Sequence, residues 1–245
     1  MTMSPRWMMI ALLSWSGAAL AEDLIVIDVS NAPGLAEGTV VPDGKSVELP
    51  AGAKAILIGA SGKTVPLTGP YSGVPSSTGK ADSRLVTALT SLVQPKGAET
   101  HQVGAVRAIP WRAPQIVASS DVFMLDGSQS GQQCLLQSNA KVSLFFDPAK
   151  KTADTLTVLS AESGTAETLN MVDGKAGVAW PKNIPLEEGN TYLVEMPGQK
   201  AVNQFTVKVL AQAAENDVQR AVQLLDAGCV DQAKLMIEVV KKAAR

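Results

Sequence analysis

The stretch Gly59-Ala60-Ser61-Gly62-Lys63-Thr64 holds the glycines, lysine and threonine that phosphate-binding loops use. Such a loop cradles phosphate oxygens in backbone N–H groups, and its motif needs a further glycine five positions before the Gly of the Gly-Lys pair. Leu57 stands there. The loop must also open a helix, whereas Val65-Pro66-Leu67 reads as extended chain. A β-turn is expected instead. Gly127-Ser128-Gln129-Ser130-Gly131 has the outer glycines of a nucleophile elbow, but Gln129 occupies the central position that the serine needs. A flexible turn is expected there. His101, the only histidine, could act as a base beside a serine, but no partner serine is marked, and a solvated linker residue is expected. One histidine and two cysteines match no metal-ligand spacing. The acid pairs Glu187-Glu188 and Asp121/Asp126 would serve general acid–base chemistry only on converging walls of a cleft. Turns also collect acids, and that reading is preferred. Beyond residue 21 the Trp and Tyr residues are Trp111, Trp180, Tyr71 and Tyr192, few for stacking sugars, and Trp180 is expected in a core. No catalytic residue, cofactor site or metal site is therefore expected.

The remaining chemistry is that of cysteine. Arg6, the apolar run from Trp7 to Trp15 and the small-residue ending Ala19-Leu20-Ala21 read as a secretory signal peptide over residues 1–21. The apolar run is short for a membrane span and is followed by Ser16 and Gly17. Cleavage, a periplasmic or secreted location and no stable membrane insertion afterwards are expected. Cys134 and Cys229 lie in the exported part, where an even count favours a disulfide. Two separate buried thiols are the alternative, since sequence gives no distance between them. Cleavage takes Arg6 from the 21 basic residues and leaves all 23 acidic ones, a net charge near −3. That balance offers no basic stripe to a nucleic acid.

These residues need elements to position them. Leu24–Ile27, Val40-Val41, Val47–Leu49 and Ala55–Ile58 are short apolar runs divided by Gly/Pro turns, a small β domain over 22–80 closed by a turn at Gly69–Gly73. Pro75–Lys80 reads as a linker. A helix is expected from Asp82 to Val93, with Asp82 as N-cap and Leu85, Val86, Leu89, Leu92 and Val93 on one face, followed by a connecting segment to residue 114. Candidate strands then fall at 122–125, 134–137, 141–146, 156–159, 168–172, 177–180, 192–195 and 204–209. This spacing over 115–210 fits an immunoglobulin-like β-sandwich. Residues 211–245 read as a helical hairpin with stripes Val218/Ala221/Val222/Leu225 and Ala233/Met236/Ile237/Val240, turning at Gly228. It is expected to pack on the sandwich, with a partner-binding helix pair as the alternative. The fold class is mainly β with α.

Within the first β segment, Gly44–Ala53, Ile56-Leu57-Ile58, Ser61-Gly62-Lys63 and Leu67–Pro70 resemble the short-strand rhythm of FecR-like periplasmic domains. The resemblance implies an envelope interaction or sensing role and transfers no functional residue. The expected function is a non-enzymatic interaction or accessory module whose partner is another envelope protein. An envelope hydrolase with residues dispersed in sequence, or a small-ligand sensory domain, are the alternatives.

Overall fold

The computed structural model describes residues 22–77, 82–94, 122–137, 142–146, 153–172, 177–196 and 202–245. His101, Arg107, Trp111, Asp121 and the expected signal peptide lie outside them. The protein is mainly β, with several sheets, a few helices and a C-terminal helical pair.

The first sheet has four strands in the order β2-β1-β4-β5: β1 (Leu24–Ser30), β2 (Val40–Val41), β4 (Lys54–Gly59) and β5 (Thr64–Thr68). Strands β1 and β4 are apolar at consecutive positions because the sheet is covered on both faces. Leu24, Val26, Ala55 and Leu57 point into a core closed by β3 (Val47–Leu49) and β6 (Tyr71–Gly73). Ile25, Ile27, Ile56 and Ile58 point the other way, into a core closed by helices. A bulge between Val26 and Asp28 breaks the alternation. It keeps Ile27 in the helix-side core and brings Asp28 opposite Ile56 on that same face. The expected turn at Gly69–Gly73 is shorter than anticipated: Tyr71–Gly73 pairs with β3, and only the residues before it turn.

The helical layer comes from two distant parts of the chain. Helix α1 (Ser83–Val93) begins at Asp82, whose carboxylate accepts from the N–H groups of Arg84 and Leu85. Its Leu85, Leu89, Leu92 and Val93 are buried. Helices α2 (Asp217–Asp226) and α3 (Val230–Ala244) form the terminal hairpin. Gly228 at φ 83° lets the Cys229 N–H reach Leu224 O (2.8 Å) and the Gly228 N–H reach Leu225 O (2.9 Å), a Schellman ending. Leu224 is fully buried beside Val218 and Ala221, and the expected Leu225 is partly buried against the same core. The hairpin's apolar stripes share one core with α1, the first sheet and, through Cys134 and Leu210, the edge of the sandwich, so the hairpin packs on the sandwich as expected and covers the first sheet as well.

The sandwich encloses a separate core. One sheet has the order β11-β10-β13-β14-β8 and the other β12-β9-β7. Their ranges are β7 Leu125–Asp126, β8 Gly131–Leu136, β9 Ser143–Phe145, β10 Thr155–Ser160, β11 Ala166–Asn170, β12 Gly177–Ala179, β13 Thr191–Glu195 and β14 Asn203–Leu210. The Tyr192 hydroxyl donates to Pro185 O (2.7 Å) and accepts from the Glu187 N–H (2.9 Å). A tyrosine hydroxyl near the start of a strand that bonds back to the backbone a few residues upstream is the arrangement of a tyrosine corner. Trp180 stacks edge-on against Tyr192 at 5.2 Å between centroids, and its indole N–H donates to Ile184 O (2.7 Å). The strand expected at 122–125 is displaced: Val122 and Phe123 leave the sandwich and bury in the helical core.

Candidate functional site

The phosphate-loop stretch is a turn joining β4 to β5, and it does hold an anion. The occupant is the carboxylate of Glu22, the residue just past Ala19-Leu20-Ala21. Glu22 is 2% exposed. Its oxygens accept from the Ser61 hydroxyl (2.6 Å), the Ser61 N–H (2.8 Å) and the Ser77 hydroxyl (2.5 Å). Gly59 is required here: a Cβ on it would lie 2.2 Å from a Glu22 oxygen. Burial pushes the carboxyl pKa up, but the hydrogen bonds from Ser61, Ser77 and the Ala60 backbone together draw it below the usual carboxylate value. The expected linker is thus anchored at its start, since Pro75 and Ser77 are buried.

The expected flexible turn at Gly127–Gly131 is a braced corner where the chain crosses from one sandwich sheet to the other. Asp126 accepts from the N–H (2.8 Å) and hydroxyl (2.6 Å) of Ser128. The buried Gln133 amide accepts from the Asp126 N–H (2.6 Å) and donates to Asp126 O (2.8 Å). Ser130 Oγ accepts from the Gln204 N–H (3.1 Å). Both serines are therefore tethers. Glu187 accepts from the Asn190 side chain (3.1 Å), and Glu188 pairs with Lys208, so these two acids fasten a turn and do not converge. Among the described residues, no group of three or more His, Cys, Asp or Glu could hold a metal ion.

Cys134 and Cys229 are bonded, with Cα atoms 5.9 Å apart and both residues fully buried. The bond joins edge strand β8 to the N-terminus of α3. Beside it, the buried Gln232 accepts from the Cys134 N–H (2.6 Å) and donates to Cys134 O (2.9 Å) and Val122 O (2.7 Å). One side-chain amide thereby supplies the backbone partners a further strand would give, and closes the β8 edge. The opposite edge, β11, carries Glu167 on the same side as the core residue Leu169, with one carboxylate oxygen buried and unpartnered. An inward charge on an edge strand opposes addition of another strand.

A cleft of about 430 Å³ lies at the end of the first sheet, beyond the last turn of α3. Arg245 closes one side by donating to Asp28 at 2.8 and 3.0 Å. The next row across the sheet is Ser30, Lys54 and Thr68, in register on β1, β4 and β5. All three are exposed and line the cleft, and none has a side-chain partner among the described residues. Sequence reading missed this row because it exists only once the register is set. It also missed the Glu22 cradle and Gln232, whose partners lie far away along the chain. The fold and these sites define a mainly β protein of two β units joined by a disulfide-anchored helical layer. Comparison of the chain with protein-family models and with curated proteins yields no match.

Proposed function

We propose that the chain is exported, loses residues 1–21, and works in the periplasm or outside the cell as a non-enzymatic interaction or accessory module of the envelope. The observation that carries this reading is the joint between the β units. A fully buried disulfide holds it, and such bonds persist in oxidising compartments. The burial of Glu22 supports processing before that residue, because the folded body engages the first residue after the expected cleavage point. The use of Ser61, Ser77, Ser128, Ser130, Glu187 and Glu188 as tethers supports a binding role over a hydrolytic one. The FecR-like rhythm of the first unit points the same way. The terminal hairpin spends its apolar stripes inside the molecule, so a partner meets other surfaces.

In-cell crosslinking of the exported protein, followed by mass spectrometry, tests the reading. The expected result is reproducible capture of one envelope protein, with the captured chain beginning at Glu22. Cytoplasmic retention with Cys134 and Cys229 reduced would overturn the export reading. Sustained turnover of an envelope substrate by the purified protein would overturn the non-enzymatic one.

A further inference from the structure

We propose that the cleft at the end of the first sheet binds a small molecule with one carboxylate and a short apolar body. The inference is independent of which envelope partner the protein meets. Its starting point is charge. Asp28 and Arg245 neutralise one another at one side of the cleft. Among the described side chains that line the cleft, Lys54 then remains as the cation without an ion-pair partner, flanked on neighbouring strands by Ser30 and Thr68. Directly paired residues on adjacent strands have Cβ atoms about 4.5–5.5 Å apart. A lysine flanked in register by two hydroxyl side chains offers an ammonium and two hydroxyl donors along one row, and a single carboxylate can accept from more than one of them. One uncompensated charge matches a monoanion.

The orientation follows from the other wall. The preceding row, Asp28, Ile56 and Pro66, and Ala244 at the end of α3 line the cleft toward the helix. The helix end carries partial negative charge, which repels a carboxylate. The head therefore lies on the Lys54 row and the apolar body against Ile56, Pro66 and Ala244. The cleft volume of about 430 Å³ falls in the range of small-molecule sites. Its shape suits a body of a few carbons, and the bulge that turns Asp28 onto this face is what gives the cleft its closed side.

The test is an NMR titration of the purified full chain with sodium hexanoate, and with acetate and hexan-1-ol as head-only and body-only probes. Hexanoate is expected to give saturable shifts at amides of residues 28–30, 54–56 and 66–68. Hexan-1-ol should bind more weakly by about tenfold or more, the worth of one charge-assisted hydrogen bond, and acetate by about tenfold or more for want of the buried methylenes. Lys54→Met should weaken hexanoate by a similar factor, and Lys54→Arg should retain it, with unchanged spectra elsewhere showing that both variants fold. Absence of saturation at millimolar hexanoate would overturn the proposal. So would equal binding to Lys54→Met, equal binding of hexan-1-ol, or shifts centred on any other surface.

Discussion

Replacing both Cys134 and Cys229 by alanine removes the covalent tie between β8 and α3, and the cost depends on which part unfolds. If the whole chain unfolds at once, the bond closes a loop spanning the 95-residue separation. The chain-entropy relation then gives about 4–5 kcal/mol. If the helical layer peels away from an intact sandwich, the closed loop is much shorter. Gln137 donates to Leu210 O at 2.8 Å, so folded β14 already fixes the chain close to β8. The free segment runs only from Leu210 to Cys229, and the cost falls to about 3 kcal/mol. Either value is a large share of the roughly 5–15 kcal/mol that stabilises a typical domain. Urea unfolding followed by two signals separates the cases. Trp111→Phe leaves Trp180, in the sandwich core, as the only tryptophan after residue 21, and far-UV circular dichroism near the helical minimum reports the three helices. The expected outcome is coincident transitions in the bonded protein. In the double variant the helical transition should come first, with the tryptophan transition less affected. A loss under about 1 kcal/mol, with both transitions still together, would refute the assignment of the joint's stability to this bond.

Three further outcomes follow. Glu22 has a folded pKa below its unfolded value, so its stabilisation is fully present above the ordinary carboxylate range and is lost as pH falls through the lowered value. Glu22→Gln should cost about 1–3 kcal/mol at neutral pH, with the difference from the parent shrinking in acid; an unchanged acid-unfolding curve would contradict the cradle's role. Tyr192→Phe removes the hydroxyl that bonds Pro185 and Glu187, and should lower the sandwich transition by about 1–3 kcal/mol in the same urea assay. Truncation before residue 211 uncovers Ile25, Ile27, Ile56 and Ile58, and should yield aggregated protein by size-exclusion chromatography.

Many strands were legible because the runs are short, apolar and divided by turn residues, although Tyr71–Gly73 was read as part of a turn, and α1 was legible because Asp82 and its stripe coincide. The terminal hairpin was equally plain. What sequence did not disclose was the partner of each face. The doubly apolar runs at Leu24–Ile27 and Ala55–Ile58 state that both sides are covered, but not that helices more than about a hundred residues apart in the chain, ending at Val93 and beginning again at Asp217, cover one of them. A stripe on α3 fits any apolar bed of the right width. Val122 and Phe123 have strand propensity, and tertiary burial beside the helices overrode it. The Glu22 cradle was half visible: the glycines of the turn suggest an anion, but nothing local named a carboxylate from the start of the neighbouring strand β1. The Ser30–Lys54–Thr68 row depends on register around a bulge, which no window of sequence encodes.

The first sheet and the helix that covers it lie far apart in sequence: β1 ends at Ser30 and α3 begins at Val230. Contacts between such remote segments raise the mean sequence separation, which slows folding. The isoleucines of β1 and β4 therefore gain this cover only once α3 is available. The sandwich has a shorter reach, its widest pairing being β8 with β14, residues 131–136 with 205–210. Closing that span costs less than closing β1 onto α3, so the sandwich can set before the first sheet is sealed.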